Sequence, residues 1–211
     1  MGTNPACVPS NRVSGNMGEV PFRDLDLVRR ACGGDGEAFG LLVERYQDYI
    51  YNAVVHLVGA GQDAEDLTQE TFLKAYRSIT GFRRKAQFST WLYGIMLNCV
   101  RSHWRKAGRH GEVTSLSPGA ADQDPLPEPP ASGEEPLAGV TRRETVELVR
   151  RSIGGLPEDL REVIVLRDLQ GMSYEELADC LGLPLGTVKS RLFRARSALK
   201  DRIAPFVAEG L

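Results

Sequence analysis

With 211 residues, 42% hydrophobic and 26% charged, the chain is long enough for one or two folded domains and its composition excludes wholesale disorder. The net charge of −2 supplies no bulk attraction for nucleic acid, and no apolar run approaches the roughly 18 residues that cross a bilayer. The start of the chain lacks the basic and apolar regions of a signal peptide, and Cys7, Cys32, Cys99 and Cys180 show no CxxC spacing, so a cytoplasmic protein with reduced thiols and no membrane insertion is expected.

Residues 1–20 read as a disordered leader, with either Met1 or Met17 as the start. From there the apolar residues recur at helical spacing, and no β-branched run is bounded by turns, which predicts an all-α fold. Residues 21–110 form a first domain. In its second helix Phe39, Leu42, Val43, Tyr46, Ile50, Ala53, Val54 and Leu57 make one core stripe, stopped by Gly59-Ala60-Gly61. Asp63 is expected to cap a helix running to about Ile79. A loop over Thr80 to Gln87 follows, holding Gly81 and the cations Arg83, Arg84 and Lys85. Ser89 is the predicted cap of the next helix, with Phe88 as its staple. That helix turns Leu92, Ile95, Met96 and Cys99 to the core and Asn98, Arg101, Ser102, Arg105 and Lys106 to the other side.

Residues 111–140 hold six carboxylates, no cation and half of the 12 prolines. This composition reads as a flexible, self-repelling acidic linker. Residues 141–207 are the second domain, with predicted capping boxes at Thr141-x-x-Glu144 and Ser173-x-x-Glu176 and with Pro157 in a first helical turn. Ser173 to Gly182 reads as a short helix, Leu183 to Gly186 as a tight turn, and a basic helix begins near Thr187, which together make a helix-turn-helix. Val188, Leu192, Ala195 and Leu199 form its buried seam. Thr187, Lys189, Ser190, Arg191, Phe193 and Arg194 are left to face outward, where they can meet base edges and phosphates.

The charges are segregated along the chain. Arg77 to His110 carries eight Lys and Arg without a carboxylate, and Cys180 to Lys200 carries five. Two such windows fit two phosphate-facing surfaces or two solvated helix faces, and charge alone weighs these equally.

Three motifs bring a family into view. Asp63-Ala-Glu-Asp-Leu-Thr-Gln-Glu-Thr-Phe-Leu-Lys-Ala-Tyr76 is the first, and Phe88-Ser-Thr-Trp-Leu-Tyr93 with Asn98 is the second. The third runs from Leu156-Pro157 through Met172-Ser-Tyr-Glu-Glu-Leu-Ala178 to Gly186-Thr-Val-Lys-Ser-Arg-Leu-Phe-Arg-Ala-Arg196. In this order, around an acidic linker, they resemble the extracytoplasmic-function (ECF) sigma factors of bacterial RNA polymerase across nearly all of residues 24–203.

The resemblance implies a region 2 domain at 21–110 and a region 4 domain at 141–207. Asp63, Asp66, Gln69 and Glu70 would grip the clamp helices of core RNA polymerase; an acidic first turn that complements the helix dipole explains the same residues. Phe82, Arg83, Arg84, Lys85, Gln87, Trp91, Asn98, Arg101, Arg105 and Lys106 would bind the minus-ten promoter element as single strand, with a flipped base held by the loop, although Trp91 fits a core position equally well. Thr187, Lys189, Ser190, Arg191, Phe193 and Arg194 would read the minus-thirty-five element of promoter DNA. The linker would thread toward the polymerase cleft or act as a passive tether. An anti-sigma factor is a further implied partner. Gly94 stands where the family usually has a basic residue, and Cys99 and Ser102 where it often has Arg and Asp, which leaves the minus-ten preference open.

A stand-alone helix-turn-helix regulator is the alternative, but it leaves the Asp63–Tyr76 motif and the first basic window unexplained. Cys99 and His103, four residues apart, lack a third ligand at recognisable spacing, so no metal is expected. No phosphate loop or acid–base constellation is present, and neither a cofactor nor an enzymatic activity is predicted.

Overall fold

The computed structural model describes residues 23–83, 87–108 and 142–208. The leader, Arg84, Lys85, the acidic linker and the Thr141 capping box lie outside them. The described residues form helices and turns and no strand, in keeping with the all-α expectation.

The first half contains α1 (Arg23–Cys32), α2 (Gly36–Val58), α3 (Gln62–Ser78), a 3-10 turn at Ile79–Gly81, and α4 (Phe88–Gly108). Asp35 starts α2 by accepting the amide of Ala38 at 3.1 Å. Gly59, at φ 96°, ends α2 in a conformation that an L side chain resists. Between these caps the predicted stripe is buried apart from Val43, which is half-buried. Burial of a residue such as Leu42 or Ile50 contributes up to about 1.5–3 kcal/mol. At the start of α1 the buried Asp24 accepts the Tyr46 hydroxyl at 2.7 Å and pairs with Arg45, tying α1 to α2.

Two predicted caps are displaced. Helix α3 begins at Gln62 behind Gly61, so Asp63 lies inside the first turn, where its charge still complements the helix dipole. Helix α4 begins at Phe88; Ser89 is buried within its first turn, and the carbonyl of Gln87 accepts the amide of Trp91 at 3.1 Å.

The second half contains α5 (Arg142–Gly154), α6 (Glu158–Ile164), a π turn at Val165–Leu169, α7 (Tyr174–Leu181) and α8 (Leu185–Ala208). Pro157 sits at the cap position just before α6 rather than inside its first turn, since its ψ of 147° is extended. The Ser173 box forms completely, with Ser173 Oγ accepting the Glu176 amide at 3.1 Å and the Glu176 carboxylate accepting the Ser173 amide at 2.8 Å. Gly182 closes α7 in the left-handed region at φ 67°. Helix α8 starts at Leu185, two residues before Thr187, because Pro184 supplies the carbonyl that receives the Val188 amide at 3.1 Å. Val188, Leu192 and Ala195 are buried as predicted and Leu199 is half-buried.

The sequence carries no sign of what happens between the halves: they pack together. Helix α4 meets α7, and α2 meets α5 and the π turn, so one buried apolar cluster runs through both halves. The Tyr93 hydroxyl donates to the Gln170 amide oxygen at 2.8 Å, and Arg161 donates to the Leu57 carbonyl at 2.6 Å. Gln170 follows the π turn, and its amide donates to Val165 O five residues back at 3.0 Å, in the widened hydrogen-bond pattern such turns make.

Candidate functional site

On the outer side of α3, Asp63, Asp66, Gln69 and Glu70 are all exposed. Gln62 donates to Asp66 at 3.0 Å, and the Lys74 ammonium lies 2.7 Å from Glu70, whose hydrogen bond is the main reason the Lys74 pKa is raised. His103 Nε2 approaches Asp63 to 4.0 Å. Two further members of this face, Leu73 and Tyr76, are more than half exposed. Sequence reasoning passed over them, yet Gln69, Leu73 and Tyr76 follow an i, i+4, i+7 spacing that places the apolar pair beside the polar residues.

The second place is a cleft of about 480 Å³ between the 3-10 turn and α4, lined by Gly81, Phe82, Arg83, Thr90, Trp91, Gly94, Ile95 and Asn98, with Asp179 and Cys180 of α7 opposite. Its volume lies in the range of small-ligand pockets, about 300–1,000 Å³. Phe82, Phe88 and Trp91 pack edge-on or tilted against one another with ring centres 5.0–6.1 Å apart, and Phe88 continues the contact to Tyr46 at 5.3 Å. Trp91 therefore has both of the characters the sequence left open: one side is packed on the aromatic core and the other lines the cleft. Arg83 and Asn98 are exposed in its wall, whereas Gln87, also exposed, is not among the residues that line it. A Cβ at Gly94 would meet nothing within 4 Å, so the glycine leaves this part of the cleft wall bare.

The other predicted residues of this group are not all in the cleft. Arg105 and Lys106 are exposed in the last turn of α4, where Arg105 donates to Ser102 Oγ at 2.8 Å. Arg101 turns toward α6 and donates to both carboxylate oxygens of Glu162 at 2.6 Å each. Those bonds raise its pKa, and its charge is turned to the second half of the protein although 33% of the side chain stays exposed. The nearby Cys180 thiol is pushed up to about 12 by burial, which favours its protonated form.

On α8, Lys189, Phe193 and Arg194 are exposed, whereas Thr187, Ser190 and Arg191 are half-buried. Ser190 donates to the Thr187 carbonyl at 3.0 Å, and Arg191 lies 3.7 Å from Asp159. Arg196 is held at 2.7 and 3.1 Å by Asp168. Cys99 is buried with its sulfur 3.5 Å from the Lys74 ammonium, and His103 faces Asp63.

Comparison with known proteins supplies the context. Residues 42–110 match the family described as Sigma-70 region 2, and residues 147–199 match Sigma-70, region 4. The chain is 38% identical over 187 residues to the RNA polymerase sigma-H factor of Pseudomonas aeruginosa, covering 89% of this chain and 97% of that protein. The chain belongs to the ECF sigma factors of the sigma-70 family. It is an RNA polymerase sigma factor. The ECF sigma-E factor of Escherichia coli (strain K12) is likewise 38% identical, over 191 residues, 87% of this sigma factor and 96% of that one.

Among solved structures, CnrH in complex with the cytosolic domain of CnrY superposes with a TM-score of 0.63 at 28% identity, covering 86% of this chain and 97% of that one. The sigma factor RpoE in complex with the anti-sigma factor NepR from Bartonella quintana gives 0.59 at 27% identity, covering 79% and 96%. The region 2 match removes the alternative of a stand-alone helix-turn-helix regulator, which has no use for residues 42–110. No described helix is long and apolar enough to cross a membrane.

Proposed function

We propose that this sigma factor joins core RNA polymerase through the outer face of α3, takes a melted minus-ten strand into the cleft beside α4, and reads a minus-thirty-five duplex with the N-terminal half of α8. It acts in the cytoplasm, performs no chemistry of its own, and is held inactive by an anti-sigma factor when not required; the similar Bartonella protein is found in complex with an anti-sigma factor. The observation that carries the reading is the cleft. Aromatic Phe82 and Trp91, cationic Arg83 and the amide of Asn98 surround one cavity, the combination a single-stranded base and its phosphate need. Stacking on an aromatic side chain is worth about 1–3 kcal/mol per base, enough to offset much of the few kcal/mol that unstacking the base costs.

Arg84 and Lys85, beside the cleft in sequence, are assigned to strand phosphates in the same reading. On α8 the exposed Lys189, Phe193 and Arg194 are the principal duplex contacts, with Thr187, Ser190 and Arg191 at their margin. On α3 the carboxylates suit a basic partner surface better than DNA, and Leu73 and Tyr76 give that surface an apolar half.

Transcription in vitro by core enzyme plus the purified protein on genomic DNA tests the reading. Transcripts starting a fixed distance below two shared upstream elements are expected, and failure to co-elute with core enzyme or to direct any initiation would sink it.

A further inference from the structure

The cleft beside α4 carries more polar chemistry than a strand of DNA uses. Arg83, just past the 3-10 turn, and Asp179, on α7, both line it and are both exposed. Among the described residues neither has an ion-pair or hydrogen-bond partner, so a cation and an anion look into one cavity without meeting each other. Thr90 lines the same cavity and is only 3% exposed, yet its hydroxyl is buried without a hydrogen-bond partner. Buried hydroxyls ordinarily have one, and an orphan in a cavity wall marks a place where a ligand can supply it. Helical threonines divide between two rotamers, so one step about χ1 is enough to re-aim the oxygen. Asn98 adds an amide that both donates and accepts. The rest of the wall is largely apolar, with the Phe82 and Trp91 ring centres 5.0 Å apart. A phosphodiester strand matches Arg83 and the rings but is repelled by the Asp179 carboxylate. The full set instead fits a small molecule with an anionic end, a planar aromatic body and an edge of N–H donors.

We propose that the cleft is a binding site for a free guanine nucleotide. The phosphate pairs with Arg83, the base lies against Trp91 and Phe82, and the N1–H and N2–H groups of guanine donate to the two carboxylate oxygens of Asp179. Asn98 and Thr90 supply the amide and the hydroxyl that the base oxygen and the ribose require. Guanine is the base that sets two N–H donors side by side on one edge, the counterpart of a carboxylate with two acceptor oxygens. Adenine and cytosine set a donor beside an acceptor, which would leave one carboxylate oxygen facing a lone pair. The cavity of about 480 Å³ is of a size for one such molecule. Since the promoter strand is proposed to stack on the same Trp91, nucleotide and strand compete. The competition rests on the single-strand role proposed for the cleft; the nucleotide site itself does not.

The test is calorimetric titration of the full chain with guanosine 5′-monophosphate, adenosine 5′-monophosphate and inorganic phosphate, repeated on Asp179→Asn and Thr90→Val. Saturable one-to-one binding of the guanine nucleotide is expected, about tenfold tighter than that of the adenine nucleotide, with phosphate alone weaker than either. Asp179→Asn, a change at an exposed position, should remove the preference by weakening guanine binding about tenfold while leaving adenine binding where it was. Thr90→Val keeps the shape of the wall and should weaken both nucleotides. No saturation at millimolar guanosine monophosphate would overturn the site, and equal affinities for the two nucleotides would overturn the pairing with Asp179. Guanine binding unchanged in both variants would place the nucleotide elsewhere and overturn the site as well. A second titration, with dye-labelled single-stranded DNA of random sequence, separates the two readings of the cleft. Displacement of the DNA by guanosine monophosphate is expected. Nucleotide binding without DNA binding would remove the single-strand reading and leave the nucleotide site standing, whereas DNA binding without nucleotide binding would do the reverse.

Discussion

The outer face of α3 and the inner face of α4 are alike in the sequence, each a row of charged residues at helical spacing, and different in the structure. Asp63, Asp66, Gln69 and Glu70 stay in water, and their pairings are short-range or marginal. Arg101 is engaged by a carboxylate 61 residues away. A stretch of chain free of acids is therefore not a surface free of acids, since the tertiary packing of α6 and α7 brings Glu162 and Asp179 to it. Exposed charges on α3 contribute little to stability and are available to a partner, whereas the charge of Arg101 on α4 is engaged by Glu162 from the second half.

The largest effect expected on this contrast comes from Tyr93, which is 1% exposed at the contact. Tyr93→Ala should cost about 3–5 kcal/mol in denaturant unfolding, through a cavity and a lost bond to Gln170. A loss under 1 kcal/mol would mean that the inner contact contributes as little as the outer face.

Acid should act on the same contact. His56 on α2 has its pKa lowered below the ordinary 6.5, first by burial and then by Arg150 on α5, and its Nδ1 is buried without a hydrogen-bond partner. The packed form thus disfavours the proton. Its contribution is complete above pH 6.5 and is lost as pH falls from 6.5 toward the lowered value, at no more than about 1.4 kcal/mol per pH unit. Unfolding measured between pH 7.5 and 5 should show this slope, and His56→Gln should reduce it.

Ser173→Ala gives a control within the second half. It removes the cap of α7 and should cost about 1 kcal/mol, while the radius of gyration of the folded protein stays at the wild-type value. The smallest expected stability effect is at Asp66. Asp66→Ala should leave unfolding within about 0.5 kcal/mol of wild type, yet weaken co-elution with core polymerase and leave duplex binding by α8 intact. Equal damage to both activities would contradict separate surfaces. At the other end of the molecule, Arg194→Ala should lower the log–log salt slope of duplex binding by up to about one.

Much of the architecture was legible because it is local. The α2 stripe, the Gly59 stop, the Ser173 box and the Gly182 cap depend on neighbours within a turn or two, and they appear where the spacing placed them. The starts of α3, α4 and α8 lie two residues earlier than the side chains suggested, because backbone geometry at Gly61, Gln87 and Pro184 sets them. Trp91 illustrates a limit of a different kind: one indole serves the core and the cleft, and no one-dimensional pattern states two roles. The contact between the halves was invisible because nothing in the spacing of Tyr93, Arg101, Glu162 or Gln170 marks them as partners; they meet only after two helical bundles have formed and turned toward each other. Leu73 and Tyr76 were missed for a simpler reason, since large apolar residues on an amphipathic helix are ordinarily assigned to its core.

The chain has two tryptophans, and α4 carries both, one near each end. Trp91 lies in the cleft wall among Phe82 and Phe88, while Trp104 lies beneath the guanidinium of Arg161 from the opposite half. An indole under a cation and an indole open to a stacking base differ in emission, so the molecule contains its own pair of optical probes. Parting of the halves would alter the signal of Trp104, and occupation of the cleft would quench Trp91. The order of these two changes, followed in a stopped-flow experiment with Trp91→Phe and Trp104→Phe as references, would give the sequence of events without any attached dye.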